Sequence, residues 1–411
     1  MSDCQTEVVI AGGGLAGCTL AHLLSGAGIR CILINTGKTQ LNSITSTTPS
    51  RSLAITLASA NILASINIWQ KLPRLQLGLF NQMHVWDEQS GGEIRFDSTD
   101  INEPLLGYIV EQQLLQQQLT DTCAYLPGCN VINAETVTSV INQTDSVVIE
   151  LGTEDRIQAQ LLVAADSNHS PIRKLVGLEY KRHDYQQQAV TCLATSSLPH
   201  ENVARQRFLP GGPLAFLPTA DPSVCGIVWS TDPDHARSLL SMNETQFCSQ
   251  LEQAFEYRLG NITDCGDRSR FDLFRAHAPE YIHERTVLVG DAAHTVHPLA
   301  GQGANLGLLD VAVLAELISQ ARQQYRNPFS QRVLRHYQRW RKLDNQRMLV
   351  FLDALKYLFA ADNSLLINLR GYGLNTLNSI PCLKSRIMRH AMGLEGELPR
   401  SAMPLPYAEI M

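Results

Sequence analysis

The sequence predicts an α/β fold: a parallel sheet, an antiparallel sheet inserted into it, and a helical C-terminal region. Three observations predict it. A glycine turn at 12–17 joins a short apolar run to an apolar helical stretch. Further short apolar runs end on polar turns. The chain between them is richer in Pro and Gly and alternates loosely.

Residues 8–11 read as a buried strand, 15–27 as a helix and 30–35 (Arg-Cys-Ile-Leu-Ile-Asn) as a second buried strand. This βαβ unit needs parallel strands covered on both faces. Runs 161–165 and 286–289 add candidate strands, and 304–322 carries apolar residues at helical spacing. Candidate strands at 190–195, 214–218 and 224–231 belong to the antiparallel insertion, and a helical tail begins near Pro328. The glutamines of 112–118 read as the exposed face of a helix.

Composition narrows the classes. The 411 residues suffice for two or three domains, and 44% hydrophobic against 18% charged residues excludes wholesale disorder. A net charge of −6 without a basic stripe argues against a nucleic-acid partner. The ten cysteines stand singly, with no Cys/His cluster at metal spacing, so reduced thiols and no metal are expected. The first residues lack the basic flank and cleavage site of a signal peptide. No run approaches the ~20 apolar residues of a spanning helix.

Gly12-x-Gly14-x-x-Gly17 stands between strand and helix, where a dinucleotide fingerprint must stand. The first glycine permits the tight turn, the second admits a pyrophosphate close to backbone, and the third lets helix and strand pack, which makes the sheet Rossmann-like. The usual acid at the end of the second strand is replaced by Asn35, which can hydrogen-bond a ribose without the strengthening charge. Downstream, 161–166 ends a strand on Asp166, followed by Ser170 and Arg173. Val289-Gly290-Asp291 leads into His297-Pro298-Leu299-Ala300-Gly301-Gln302-Gly303-Ala304-Asn305, then Asp310. A carboxylate at a strand end suits the hydroxyls of a polyol, and the helix starting near Gly303 turns free N–H groups and its positive end to a ligand.

These motifs together resemble the flavin-dependent aromatic hydroxylases related to p-hydroxybenzoate hydroxylase, and 297–310 resembles their ubiquinone-biosynthesis branch. Segments 212–215 and 257–260 narrow the likeness to members acting on a polyprenylated methoxyphenol. The resemblance implies a discontinuous FAD-binding domain at 1–75, 105–178 and 280–325. It also implies a substrate domain at 76–104 and 179–279, before the helical region 326–411. It places Gly12, Gly14 and Gly17 on the FAD pyrophosphate, Asn35 at the ribose, and Arg51 and Gln112 near the cofactor. Asp166 marks the second motif, Asp291 the ribityl chain, and the backbone of Gly301, Gln302, Gly303, Ala304 and Asn305 the isoalloxazine, with Pro298 beside it. The family's second motif reads Asp-Gly, whereas Ser167 stands here, and serine resists backbone angles that glycine permits.

The implied reaction is hydroxylation of a polyprenylated phenol, with NAD(P)H as transient reductant and O2 reacting through a flavin C4a-hydroperoxide. A non-catalytic scaffold for other quinone enzymes is the competing class, supported by Asn35 and Ser167. A halogenase lacks its Trp-x-Trp-x-Ile-Pro run here. Other ubiquinone-biosynthesis enzymes and a second copy of the chain are candidate partners. The expected location is cytoplasmic, peripheral at the inner membrane surface. Arg370, Lys384, Arg386 and Arg389, interleaved with apolar residues and free of acids between Asp362 and Glu395, form a candidate lipid contact. The alternative, ranked ahead of it because apolar stripes usually face protein, is a helical tail packed on the cofactor domain or on a second copy. His294 and His297 read as loop-shaping residues ahead of catalytic bases, because the flavin carries the chemistry. The four tryptophans read as core, and Cys123 and Cys129 as incidental neighbours.

Overall fold

A computed structural model of the chain describes residues 3–35, 51–133, 136–153, 155–297 and 301–404. Strands Val8–Ala11 and Cys31–Asn35 flank the glycine turn and helix Leu15–Gly26, and every residue of both strands is buried. They are central to a six-stranded sheet in which Cys129–Asn133, Leu161–Ala164 and Thr286–Leu288 are also parallel; Ile282–His283 closes one edge antiparallel. Runs of β-branched and aliphatic residues suit such strands, because helices and a second layer cover both faces.

Helix Gln302–Gln323 packs against Leu15–Gly26 and against the 30-residue helix Gln331–Ala360. It corrects one expectation: its 22 residues are long and apolar enough to cross a bilayer. Most of that surface is buried, so here it is the core helix of the cofactor domain.

The second sheet has nine strands. Its spine is the 16-residue strand Lys181–Ser196, paired antiparallel with Val224–Thr231 and Ser269–His277. Strands Gly212–Pro218 and Val203–Leu209 continue it to Gln82–Asp87 and Glu93–Asp97, which enter from another part of the chain. Helices Ser364–Asn378 and Pro381–Ala391 complete the tail, the first packed on strand Glu93–Asp97.

Candidate active site

A cavity of about 1100 Å³ separates the two sheets, as large as the clefts that take cofactors and drug-sized ligands. At one end two helix N-termini converge on it. Gly14 precedes Leu15–Gly26 and Gly301 precedes Gln302–Gln323; neither start has a side-chain cap or an acid in its first turn. Their first amides, which lack partners within the helix, and their positive dipole ends therefore face the cavity, a ready site for phosphates and a developing anion.

The three glycines of the turn have three different reasons. Gly12 has φ +119°, and a Cβ there would lie 2.2 Å from the Ala165 carbonyl oxygen. A Cβ on Gly17 would lie 1.9 Å from the Gly12 oxygen, so helix and strand could not close. A Cβ on Gly14 would meet nothing within 4 Å, because it would point into the cavity.

Arg51, Gln112, Asp291, Gly303 and Ala304 also line the cavity. Arg51 stacks over Phe271, its Cζ 4.0 Å from the ring centroid. Burial lowers its pKa, and Asp291 acts in the opposite sense. The Asp291 carboxyl opens onto the cavity from deep inside the protein, and burial raises its pKa against the pull of His294 and Arg51. Pro298 lies outside the described residues.

Four of the expected residues have side chains engaged within the protein. Asp166 is not among the cavity-lining residues; its Oδ2 accepts the Ile172 amide at 3.0 Å and shapes the following turn. Asn35 lies behind the glycine turn, donating through Nδ2 to Asn133 Oδ1 at 3.2 Å, with Oδ1 against Gly13. The Asn305 side chain is spent on protein: Nδ2 donates to the Ala54 and Gly301 oxygens at 2.8 and 2.9 Å, and Oδ1 accepts the Thr56 amide at 3.0 Å. Gln302 lines the cavity, yet its amide is tied to the Ala391 carbonyl at 3.1 Å. Ser167, by contrast, adopts φ +73°, the left-handed geometry a glycine would have supplied.

His294 shapes the loop. Asp310 Oδ2 accepts from His294 Nε2 at 2.6 Å and from the Gly290 amide at 3.0 Å, while Oδ1 accepts from Arg341 Nε at 2.8 Å and Asn345 Nδ2 at 3.1 Å. Burial would raise the Asp310 pKa, but the facing His294 and Arg341 hold it at about 2. His297 packs edge-on against Tyr185, and burial beside Lys356 pushes its pKa down to about 3, so it is neutral at physiological pH.

Two residues were given no role of their own from the sequence. Gln116 is half-buried, and its Nε2 donates to the Gly13 carbonyl at 2.7 Å, bracing the turn from helix Gln112–Cys123. Arg173 is buried, donating to the Ala292 and Asn168 carbonyls at 2.7 and 2.8 Å and stacking over Tyr180. It thereby links the Asp166 turn to the Asp291 loop.

The other end of the cavity is apolar. Met83, Val85 and Phe96 of the nine-stranded sheet face Leu352, Phe359 and Leu374 of the C-terminal helices. Val296, from the loop before Gly301, belongs to the same hydrophobic cluster. The apolar end therefore begins beside the loop of the cofactor end.

The uncapped helix starts, the open face at Gly14 and the Asp291 carboxyl fit FAD, and the fold and site define a flavoprotein monooxygenase. A family model described as "FAD binding domain" matches residues 5–351. The human ubiquinone biosynthesis monooxygenase COQ6, mitochondrial, is 33% identical, covering 95% of this chain and 93% of that protein. The 3-demethoxyubiquinol 3-hydroxylase of Escherichia coli is 31% identical over 96% of this chain and all of its own length. The crystal structure of p-nitrophenol 4-monooxygenase PnpA from Pseudomonas putida superposes with a TM-score of 0.77 at 17% identity, covering 96% of this chain and 99% of the other. This chain belongs to the family of FAD-dependent hydroxylases of ubiquinone biosynthesis.

Proposed function

We propose that this protein hydroxylates the aromatic ring of a polyprenylated phenol, a 2-polyprenyl-6-methoxyphenol by preference, using O2 and NAD(P)H. One oxygen atom enters the ring in place of hydrogen, the other leaves as water, and NAD(P)H supplies two electrons. The observation that carries this reading is the cavity's division into a polar, helix-capped end and an apolar end, joined at the 290–297 loop. A phenol ring can sit at the junction while its prenyl chain runs between the sheet and the C-terminal helices.

Bound FAD supplies the electrophilic oxygen that no side chain can. The chain's own residues bind, orient and shield. The amides at Gly303 and Ala304, at the start of a helix lining the cavity, would stabilise negative charge on a ring held there. Phe359, stacked on Phe208 with centroids 3.7 Å apart, keeps water from the apolar end. NAD(P)H acts as a visitor, since the sequence holds a single dinucleotide fingerprint.

The scaffold alternative rested on Asn35 and Ser167. Ser167 keeps the left-handed turn, and Asn35 still presents a polar group behind Gly13, so both supports weaken. A hydroxylase acting at another ring position differs only in which carbon the junction presents. Quinone-lipid analysis of cells lacking the protein tests the choice. Accumulation of a 2-polyprenyl-6-methoxyphenol supports the proposal, and accumulation of a later, already hydroxylated intermediate moves the reaction to another ring carbon.

A further inference from the structure

Helix Ser364–Asn378 has two unlike faces. Leu374 and Leu377 line the apolar end of the cavity, and Arg370 and Gly371 are buried on the same side. Leu365, Leu369 and Tyr372 lie on the opposite side at helical spacing and are 71%, 64% and 74% exposed. Arg370 is the helix's sole charged residue, and it is spent inward. It donates to both Asp87 oxygens, Nε at 2.8 Å, and to the carbonyls that end the preceding helix, at Leu358, Phe359 and Ala361. The outward face therefore carries no charge. The preceding helix ends with Tyr357 and Leu358 exposed as well. Exposed helix faces are ordinarily polar, and contiguous exposed apolar surface marks an interaction site.

We propose that this uncharged face docks on a lipid bilayer by apolar insertion and not by charge. The proposal rests on the reading of a prenylated substrate given above. The cavity's apolar end lies beneath this helix, roughly one helix diameter of about 10 Å from the outer face, so docking brings that end to the phase in which such a substrate dissolves. Electrostatic docking has little to work with. Lys384 is paired with Asp100 at 2.7 Å, Arg389 donates to the Ile101 carbonyl at 3.1 Å, and Arg370 is buried. Of the four expected cations only Arg386 is largely exposed, at 78%, and its Nε lies 4.0 Å from a Glu395 carboxylate oxygen.

The test is co-sedimentation of the FAD-loaded full chain with phosphatidylcholine vesicles, and with the same vesicles containing phosphatidylglycerol. The wild type should bind both. Binding should survive a rise in salt from about 0.1 M to about 1 M, which shortens the screening length from about 10 Å to about 3 Å. The triple variant Leu365→Ser, Leu369→Ser, Tyr372→Ser should bind at least about tenfold more weakly, with unchanged melting temperature and unchanged turnover of a water-soluble short-chain phenol. Unimpaired binding by the variant, binding to anionic vesicles alone, or no binding by the wild type would overturn the proposal. So would a solution dimer that the triple variant dissociates, because a second copy would then cover this face. A protein that turns over the soluble phenol but binds no vesicle loses the docking surface and keeps the proposed reaction. One that binds vesicles but hydroxylates nothing does the reverse.

Discussion

Arg341 grips Asp310 at 2.8 Å in the middle of the core helix, and the other oxygen of that carboxylate holds His294 and the Gly290 amide. Asp310 is 0% exposed and Arg341 3%, so the pair ties the cofactor loop to helix Gln331–Ala360 through the protein's interior. Removing one partner of a buried pair costs about 3–5 kcal/mol because the other charge is stranded. Asp310→Ala should therefore lower the unfolding free energy by about that amount, read by denaturant titration. A loss confined to flavin binding, with stability intact, would contradict this structural role.

The same pair predicts an acid limb. The folded Asp310 pKa lies below its ordinary 3.8, at about 2. A depressed folded pKa contributes stability at pH values above the unfolded pKa, and that contribution is lost as pH falls toward the folded one. Wild-type stability should thus drop more steeply than that of Asp310→Ala between about pH 4 and pH 2, in parallel urea titrations.

Ser167, at φ +73°, occupies a region that costs an L-residue roughly 1–2 kcal/mol. Ser167→Gly should be neutral or stabilising by less than about 1 kcal/mol, since glycine's entropy cost offsets the relief. Ser167→Val should destabilise by about 1–3 kcal/mol, because a branched Cβ tolerates this region least. Thermal unfolding of both variants checks the ordering.

The three turn glycines should separate by phenotype. Gly12→Ala and Gly17→Ala put a Cβ 2.2 Å and 1.9 Å from backbone oxygens and should not yield folded protein. Gly14→Ala meets only open cavity and should fold with a near-wild-type melting temperature while binding FAD weakly. Circular dichroism and flavin titration on the three variants decide it.

What could be read directly from the sequence differs by residue. The glycine turn was legible because the spacing of glycines states its own backbone requirement, and Gly12, Gly14 and Gly17 act within a few residues of each other. The Asp310 network was not, because its partners Arg341 and Asn345 stand 31 and 35 residues further on, along another helix. A lone acid inside the apolar run 306–315 was the available signal. Gln116 was hidden in a run of similar glutamines, where only the helix's packing shows which one points inward. Arg370 looked like a lipid-facing cation, since charge is visible in sequence, whereas its partner Asp87 lies 283 residues away.

Asp291 should matter more to flavin retention than Asn35. Its carboxyl opens onto the cavity, whereas Asn35 lies behind the turn and is bonded to Asn133. Asp291→Ala should lose flavin on purification and Asn35→Ala should keep most of it, as absorbance per protein will show. The reverse ranking would move the cofactor's polyol contact to the strand end.

The central claim is that the two ends of one cavity bring a flavin and a prenylated phenol together. Turnover measures it most directly. FAD-loaded protein should be supplied with NADPH, isotopically labelled O2 and a short-chain 2-prenyl-6-methoxyphenol, and the products analysed by mass spectrometry. The account predicts phenol-dependent NADPH oxidation and a product that has gained one labelled oxygen on the ring. NADPH oxidation indifferent to the phenol, with all the oxygen recovered as hydrogen peroxide, would contradict it.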